Sequence, residues 1–91
     1  MAAIHLRVVG RVQGVGFRWF VRQQAVRLGV SGWVKNTDSG DVEVAASGDE
    51  AKLGLLEAAV SRGPAGASVQ QVERVPPPTA TTYPTPFRIE R

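Results

Sequence analysis

The sequence predicts an α+β fold, a ferredoxin-like α/β sandwich in which two helices cover one face of an antiparallel sheet. Two observations predict it. Stretches in which apolar and polar residues alternate indicate strands, and two stretches with apolar residues every three or four positions indicate helices. Along the chain these stretches follow the order βαββαβ, with a further short strand at the C-terminus. We expect the 91 residues to form a single domain, because a chain of this length supports one core.

The first two elements are a strand and a helix. Ile4–Val9 alternates, so its apolar residues are predicted to face the core while His5 and Arg7 face outward. We interpret His5 as a surface residue of the strand and not as a base, because it lies in the middle of the strand. From Phe17 the apolar spacing becomes that of a helix, which Gly29 is placed to end.

The remaining elements complete the predicted order. Each has the signal typical of its type: alternation for strands, a capping Asp for the second helix, and proline for the connector. They are a hairpin of Val30–Asn36 with Val42–Ala46, a helix from Asp49 to Gly63, a strand within Ala67–Val75, an extended connector over Val75–Pro86 and an edge strand over Phe87–Glu90.

The composition excludes several kinds of site and partner. The chain has no cysteine, which excludes disulfides and thiolate metal sites, and one histidine, which excludes a site with several His ligands. The net charge of +3 suits anionic partners but is too small to demand nucleic acid. We expect a monomer without metal, cofactor, nucleic acid or membrane as partner. A cytoplasmic location is expected, although the lack of cysteine by itself excludes neither the cytosol nor export.

A glycine-rich loop, GRVQGVGFRW from Gly10 to Trp19, joins the first strand to the first helix. Gly14 and Gly16 let consecutive backbone N–H groups form a concave nest, and the start of the helix adds unpaired N–H groups with partial positive charge. Arg18 in the first helical turn is mildly unfavourable unless an anion is bound, and its guanidinium matches two phosphate oxygens. The loop therefore predicts a phosphate site. It lacks the third glycine of dinucleotide-binding loops and the Lys of Walker loops.

Asn36, at the end of the second strand, is the second predicted part of this site. Because one helix joins the first strand to the second, the two strands run parallel and end at the same edge of the sheet. Asn36 is therefore expected beside the glycine loop. Taken singly, Gly14, Gly16 and Asn36 fit ordinary turns and Arg18 fits a solvated helix residue, whereas together they favour an anion site.

Four neighbouring residues have less specific interpretations. Arg11 is interpreted as loop charge, and Thr37 either as a turn hydroxyl or as a support for Asn36. Trp19 and Trp33 are interpreted as packing or partly exposed aromatic residues, with a place at the rim of the site as the less favoured alternative.

With these motifs in view, the chain resembles the acylphosphatase family. The resemblance is carried by VQGVGFR (Val12–Arg18) and GWVKN (Gly32–Asn36) with their spacing, and it continues through Gly63-Pro64 to the closing Phe87–Ile89. It implies a ferredoxin-like fold and hydrolysis of the carboxyl-phosphate bond of acyl phosphates, without metal, cofactor or covalent intermediate. It also implies a small-molecule acyl phosphate as substrate and inorganic phosphate as product or inhibitor.

The resemblance further implies roles for the site residues. Asn36 would position the attacking water, and the phosphate would be held by Arg18 and by backbone N–H groups of the loop. Those N–H groups belong to Gln13, Gly14, Val15, Gly16, Phe17 and Arg18.

The residue types agree with this substrate class. No Cys, His, Asp or Glu is placed at the predicted site as nucleophile or general acid. A phosphate monoester would then have to expel an alkoxide, whereas an acyl phosphate expels a carboxylate, whose acid has a pKa of about 4. Positioning and charge stabilisation then suffice, and the proton of the water is expected to pass to the phosphate of the substrate.

Two other classes of function stay open at this point. Ferredoxin-like sheets also form RNA-recognition domains, but these need aromatic residues on the sheet face, and the strand VEVAA has none. The other alternative is a non-catalytic domain, like the acylphosphatase-like domains of larger carbamoyl-transferring proteins, against which the presence of Arg18 and Asn36 argues. Steeply salt-dependent RNA binding would favour the first alternative, and a lack of acyl phosphate hydrolysis would favour the second.

Overall fold

The computed structural model describes residues 2–77 and 81–90. Its seven elements follow the predicted order, and their ends differ from the predicted bounds by a few residues. They are β1 (Ala2–Arg11), α1 (Phe17–Leu28), β2 (Ser31–Asn36), β3 (Val42–Gly48), α2 (Glu50–Arg62), β4 (Ser68–Arg74) and β5 (Arg88–Ile89).

The strands form one sheet in the order β4-β1-β3-β2-β5. The four longer strands pair antiparallel, with Leu6 opposite Val44 on β3 and Val34 opposite Val44 from the other side. β1 and β2 therefore run parallel to each other with β3 between them, as predicted. β5 lies at the predicted edge but pairs parallel with β2, so the sheet is mixed and not purely antiparallel.

The connector between β4 and β5 explains this parallel pairing. Its described parts, residues 75–77 and 81–86, contain no helix or strand, and the rest of the predicted connector lies outside the described residues. The N–H of Gly32, near the start of β2, donates to the carbonyl of Pro84 at 2.9 Å. β4 ends at the end of the sheet where β2 begins, and the connector reaches the start of β2 at this same end, so β5 must run in the direction of β2.

Both helices cover one face of the sheet, as predicted. The apolar residues of β1 and β3 that alternate with polar ones point toward these helices and are buried. α1 contributes Phe17, Val21 and Ala25, and the buried residues of α2 are Leu53, Leu56, Ala59 and Val60. Phe87, directly before β5, is 1% exposed and joins the same core. This core fixes the start of α1 over the ends of β1 and β2.

The opposite face of the sheet corrects the interpretation of His5 as a surface residue. His5 points away from the helices, as predicted, but it is only 4% exposed. Its Nε2 lies 3.1 Å from an oxygen of Glu43, and its ring packs edge-on against Trp33 with 5.6 Å between ring centres. The imidazole is covered by the long side chains of Glu43 on β3 and Trp33 on β2. The alternation of residues within β1 carries no information about these partners, so it could not predict the burial of His5.

Candidate active site

The loop from β1 to α1 has the backbone geometry of a concave anion seat. Gly14 and Gly16 both adopt left-handed conformations, with φ of 76° and 74°, which side chains other than glycine rarely tolerate. Gly16 is also the N-cap residue directly before α1, and no side chain of the described residues caps the helix there. The first turn holds no acidic residue either. The N–H groups at the start of α1 are therefore left to attract an anion.

Arg18 lies in this first turn, directly after the loop. Within the described residues its guanidinium makes one hydrogen bond, from Nη1 to the carbonyl oxygen of Glu90 at 3.4 Å, and it forms no ion pair. A guanidinium has five N–H donors, so most of them have no described protein acceptor. The contact with Glu90 places Arg18 between α1 and the end of β5, where its charge adds to that of the helix terminus.

Asn36 is the last residue of β2 and pairs with Val42 on β3. Its side chain lies on the helix face of the sheet, as the alternation of β2 requires. The side-chain Oδ1 is shielded from solvent, yet it has no hydrogen-bond partner among the described residues. A buried polar atom left unpaired costs roughly 1–3 kcal/mol, so native proteins seldom keep one without a use.

These parts meet in one hollow of about 170 Å³. The convergence of the glycine loop with the end of β2, predicted from chain order, is therefore present in the structure. The lining includes Trp19, whose place at the rim was the less favoured alternative. The lining residues are Val12, Gly14, Gly16, Phe17, Arg18, Trp19, Asn36 and Ile89.

Two predicted phosphate-binding residues, Gln13 and Val15, lie outside that lining. Val15 is partly buried against the core. The side chain of Gln13 turns to the β2–β3 hairpin, where Nε2 donates to the carbonyls of Thr37 at 2.9 Å and Asp41 at 2.8 Å. The roles assigned to their backbone N–H groups remain predictions.

Sequence reasoning missed Val12 and Ile89 as parts of the lining, and it did not predict that the side chain of Gln13 contacts the β2–β3 turn. Ile89 reaches the hollow because β5 pairs with β2, and the long connector before it hides that register from any local pattern. Thr37 takes the turn role that the sequence left open, since its hydroxyl accepts from the Asp41 N–H at 3.2 Å.

The electrostatics of the hollow are one-sided. Among the described residues, its lining contains one guanidinium and no carboxylate or imidazole. Outside this lining, Arg7 Nε on β1 donates to Asp41 Oδ2 at 2.7 Å, and this hydrogen bond raises the pKa of Arg7 above its ordinary value. An anion that enters the hollow therefore meets the positive charge of Arg18 among the described lining residues.

Other parts of the described structure offer no comparable chemistry. A larger, shallow depression of about 640 Å³ lies at the far end of the sheet beside Ala2, Gly48, Asp49 and Glu50, where the carboxylates would repel a phosphate. Within the described residues no three His, Asp or Glu side chains cluster closely enough to hold a metal ion. None of the helices there has the length and apolar character that crossing a bilayer requires.

Comparisons with known proteins agree with this geometry. The sequence model of the acylphosphatase family matches residues 4–89. A protein of Koribacter versatilis named acylphosphatase is 51% identical over 83 residues, which cover 91% of this chain and 74% of that protein. The crystal structure of acylphosphatase from Bacillus subtilis superimposes with a TM-score of 0.83 at 36% identity, over the whole of both chains.

The same fold also occurs as a small part of a much larger protein. Full-length HypF, solved in its phosphate- and nucleotide-bound form, matches with a TM-score of 0.79 at 27% identity. That match covers 98% of this chain but 12% of HypF.

Proposed function

The chain belongs to the acylphosphatase family of hydrolases, and from this premise we propose how it hydrolyses the carboxyl-phosphate bond of acyl phosphates. Arg18 and the loop N–H groups hold the phosphoryl group, and Asn36 positions the attacking water. The reaction needs no metal and no covalent intermediate. One domain spanning residues 1–91 carries all of these parts.

The phosphoryl group is bound by the start of α1 and the loop before it. A helix terminus with no described side-chain cap and no acidic residue in its first turn leaves its N–H groups and partial positive charge for the substrate. The guanidinium of Arg18 adds full charge and paired donors to the same oxygens. Since negative charge spreads over these oxygens as the bond breaks, donors held in place lower the barrier and not only the free energy of the bound substrate.

Asn36 acts on the nucleophile. Its carboxamide lines the same hollow as Arg18, and its Oδ1 has no described protein partner, so it can accept a hydrogen bond from a water beside the phosphorus. The oxygen of that water attacks phosphorus, and the bridging P–O bond breaks with its electron pair leaving on the carboxylate. The proton of the water passes to a phosphoryl oxygen, and the products are a carboxylate and inorganic phosphate.

The leaving group explains why a hollow without acid or base residues suffices. A carboxylate leaves without protonation, because its acid has a pKa of about 4. The acyl part of the substrate lies against the apolar side chains of the lining, those of Val12, Trp19 and Ile89. The single observation that carries the proposal is the convergence of Arg18, the uncapped helix terminus and the unpaired Asn36 oxygen in one hollow.

The test is hydrolysis of acetyl phosphate by the purified protein in the presence of a chelator. We expect turnover well above the buffer rate, and Arg18→Ala should lower kcat/KM by about 10²–10³, as for loss of a group that binds the developing charge. The matched control is Arg22→Ala, an exposed arginine of the same helix that lies outside the hollow. Hydrolysis no faster than in buffer, or equal losses in the two variants, would contradict the proposal.

The likeness to a small part of HypF favours one other candidate, a phosphate-binding domain that does not catalyse hydrolysis. The same assay separates the two functions. A wild-type protein that binds inorganic phosphate but leaves acetyl phosphate intact would have the second function.

A further inference from the structure

The side chain of Gln13 bridges a gap in the sheet beside the candidate active site. β3 pairs with β1 only as far as Val8–Val42 and with β2 only as far as Asn36–Val42. Beyond Val42, no strand of the described residues lies between the end of β1 and the end of β2. Two segments leave the sheet at this point. One is the loop from β1 to α1, which with Arg18 forms the proposed phosphate-binding site (the phosphate seat), and the other is the turn that follows Asn36. The backbone hydrogen bonds between strands therefore no longer set the distance between these two segments.

Gln13 supplies the missing connection with a single amide group. Its Nε2 donates to the carbonyl oxygens of Thr37 at 2.9 Å and Asp41 at 2.8 Å. Thr37 directly follows Asn36, and Asp41 directly precedes Val42, the register partner of Asn36. The two acceptors are also tied to each other, because the Thr37 N–H donates to the Asp41 carbonyl at 2.9 Å. The amide thus contacts the backbone directly after β2 and directly before β3, next to the Asn36–Val42 pair.

We propose that Gln13 is a positioning residue, whose side chain sets the distance between the phosphate seat and Asn36. The inference rests on the function proposed above. It gives the side chain of Gln13 a role of its own, separate from the phosphate binding assigned to the backbone N–H of the same residue. Misplacing a reacting group by about 1 Å can cost about 10²-fold in rate, so a connection across an unpaired gap matters to turnover. Phosphate binding depends less on the side chain of Gln13, because the glycine loop and Arg18 belong to one continuous segment whose position is fixed by α1.

The test is a double-mutant cycle between Gln13→Met and Asn36→Ala with acetyl phosphate as substrate. Methionine keeps the length and bulk of the side chain but removes the donors. Alone, Gln13→Met should lower kcat about 10- to 100-fold while the inhibition constant of inorganic phosphate changes less than about 3-fold. In the Asn36→Ala background the same change should lower kcat less than about 3-fold, since the residue through which Gln13 acts is already gone.

A matched control is Gln71→Met on β4. Gln71 also donates through Nε2, to Glu73 at 2.9 Å, but far from the hollow, and its loss should leave kcat and phosphate inhibition unchanged. Thermal unfolding of each variant shows whether it folds. If Gln13→Met does not fold, Gln13→Asn replaces it in the cycle, because its amide is one methylene too short to reach both carbonyls.

Two results would overturn the inference while leaving the proposed function intact. One is an equal loss of kcat from the Gln13 variant in both backgrounds. The other is a loss of phosphate inhibition as large as the loss of kcat, which would show that the side chain supports the seat and not the position of Asn36. A wild-type protein that does not hydrolyse acetyl phosphate would instead contradict the proposed function itself, and this inference with it.

Discussion

At the scale of single residues, Asn36 shows how a functional group can oppose stability. Its Oδ1 is buried without a described partner, which costs roughly 1–3 kcal/mol in the folded protein without ligand. Sites that must bind a ligand keep such unsatisfied groups, and substitutions that remove them often stabilise the fold. The carboxamide is therefore better explained by what it binds than by what it packs against.

We predict that Asn36→Ala separates activity from stability. The change should lower kcat for acetyl phosphate by about 10²–10³, as for loss of one positioned polar group. The free energy of unfolding, measured with urea, should stay unchanged or rise, because an unpaired buried oxygen is removed. A variant that keeps its kcat would contradict the role of Asn36, and a large loss of stability would show that the side chain has a structural partner.

Trp19 is a second residue whose position suggests a use. It is 58% exposed on α1, yet its side chain lines the hollow beside Arg18. Aromatic side chains contribute large contact areas, and a substrate with an aromatic acyl group would cover part of this exposed surface.

We predict that Trp19→Ala lowers the preference for benzoyl phosphate over acetyl phosphate, measured as the ratio of their kcat/KM values. A drop of about 5- to 150-fold is expected if stacking on the indole contributes about 1–3 kcal/mol, as base–aromatic stacking does. Val26→Ala is the control, since Val26 is a 47% exposed apolar residue of the same helix outside the hollow. An unchanged ratio in the Trp19 variant would show that the acyl group does not touch the indole.

At the scale of elements, the two helices differ most at their N-termini. α2 begins after Asp49, whose side chain accepts from the Lys52 N–H at 3.3 Å, and Glu50 follows in its first turn. α1 begins after Gly16 with no side-chain cap among the described residues, and its first turn contains the basic Arg18 and no acidic residue. The first helix therefore leaves its partial positive charge to a ligand, whereas α2 satisfies its own terminus.

We predict that Asp49→Ala lowers stability without affecting the active site. Loss of an N-cap typically costs about 0.5–2 kcal/mol, which urea unfolding should show. Asp49→Asn, which keeps a capping oxygen, should restore most of this stability. Phosphate inhibition and kcat should match the wild type in both variants, since α2 lies outside the hollow. Reduced phosphate affinity in the alanine variant would show that the two helix termini are coupled.

The motif GWVKN combines structural and functional positions within one strand. A Cβ on Gly32 would collide with the backbone carbonyl of Ala45 on β3, and the residue has a φ of 142°. Gly32 thus permits the close pairing of β2 with β3, and this pairing carries Asn36 to the hollow four residues later.

At the scale of the whole molecule, phosphate binding should couple to folding. The seat exists only when β1, α1, β2 and β5 are assembled, so a phosphate that binds the folded chain stabilises all of it. At 100 times its dissociation constant such a ligand adds about 2.7 kcal/mol. For a domain of this size that corresponds to a rise in Tm of about 10–20 °C.

We predict this rise for the wild type in saturating inorganic phosphate, measured by calorimetry against sodium chloride of equal ionic strength. Phosphate also stabilises folded proteins in general, because it is excluded from their surface. The part of the rise in Tm that comes from binding at the site must therefore be measured against a variant that lacks the site. Arg18→Ala is this variant, because it should keep only the general effect. Equal rises of Tm in the wild type and in Arg18→Ala would contradict a specific seat.

The amino-acid sequence by itself determined the order of the elements and the place of Arg18 and Asn36. These depend on local periodicity, on turn residues and on the fixed hand of a strand–helix–strand crossover, all of which act over short stretches. The prediction that loop and strand end meet followed from chain order alone, before any contact between them was known.

Only the tertiary structure decided which distant side chains complete the site. Ile89 depends on the register of β5 after a long connector, and the partners of Gln13 lie 24 and 28 residues away. His5 is buried by Trp33 and Glu43 from neighbouring strands, although its own strand marks it as outward. Such contacts are set by the packing of whole elements against each other, and the residues involved carry no local signal of their partners.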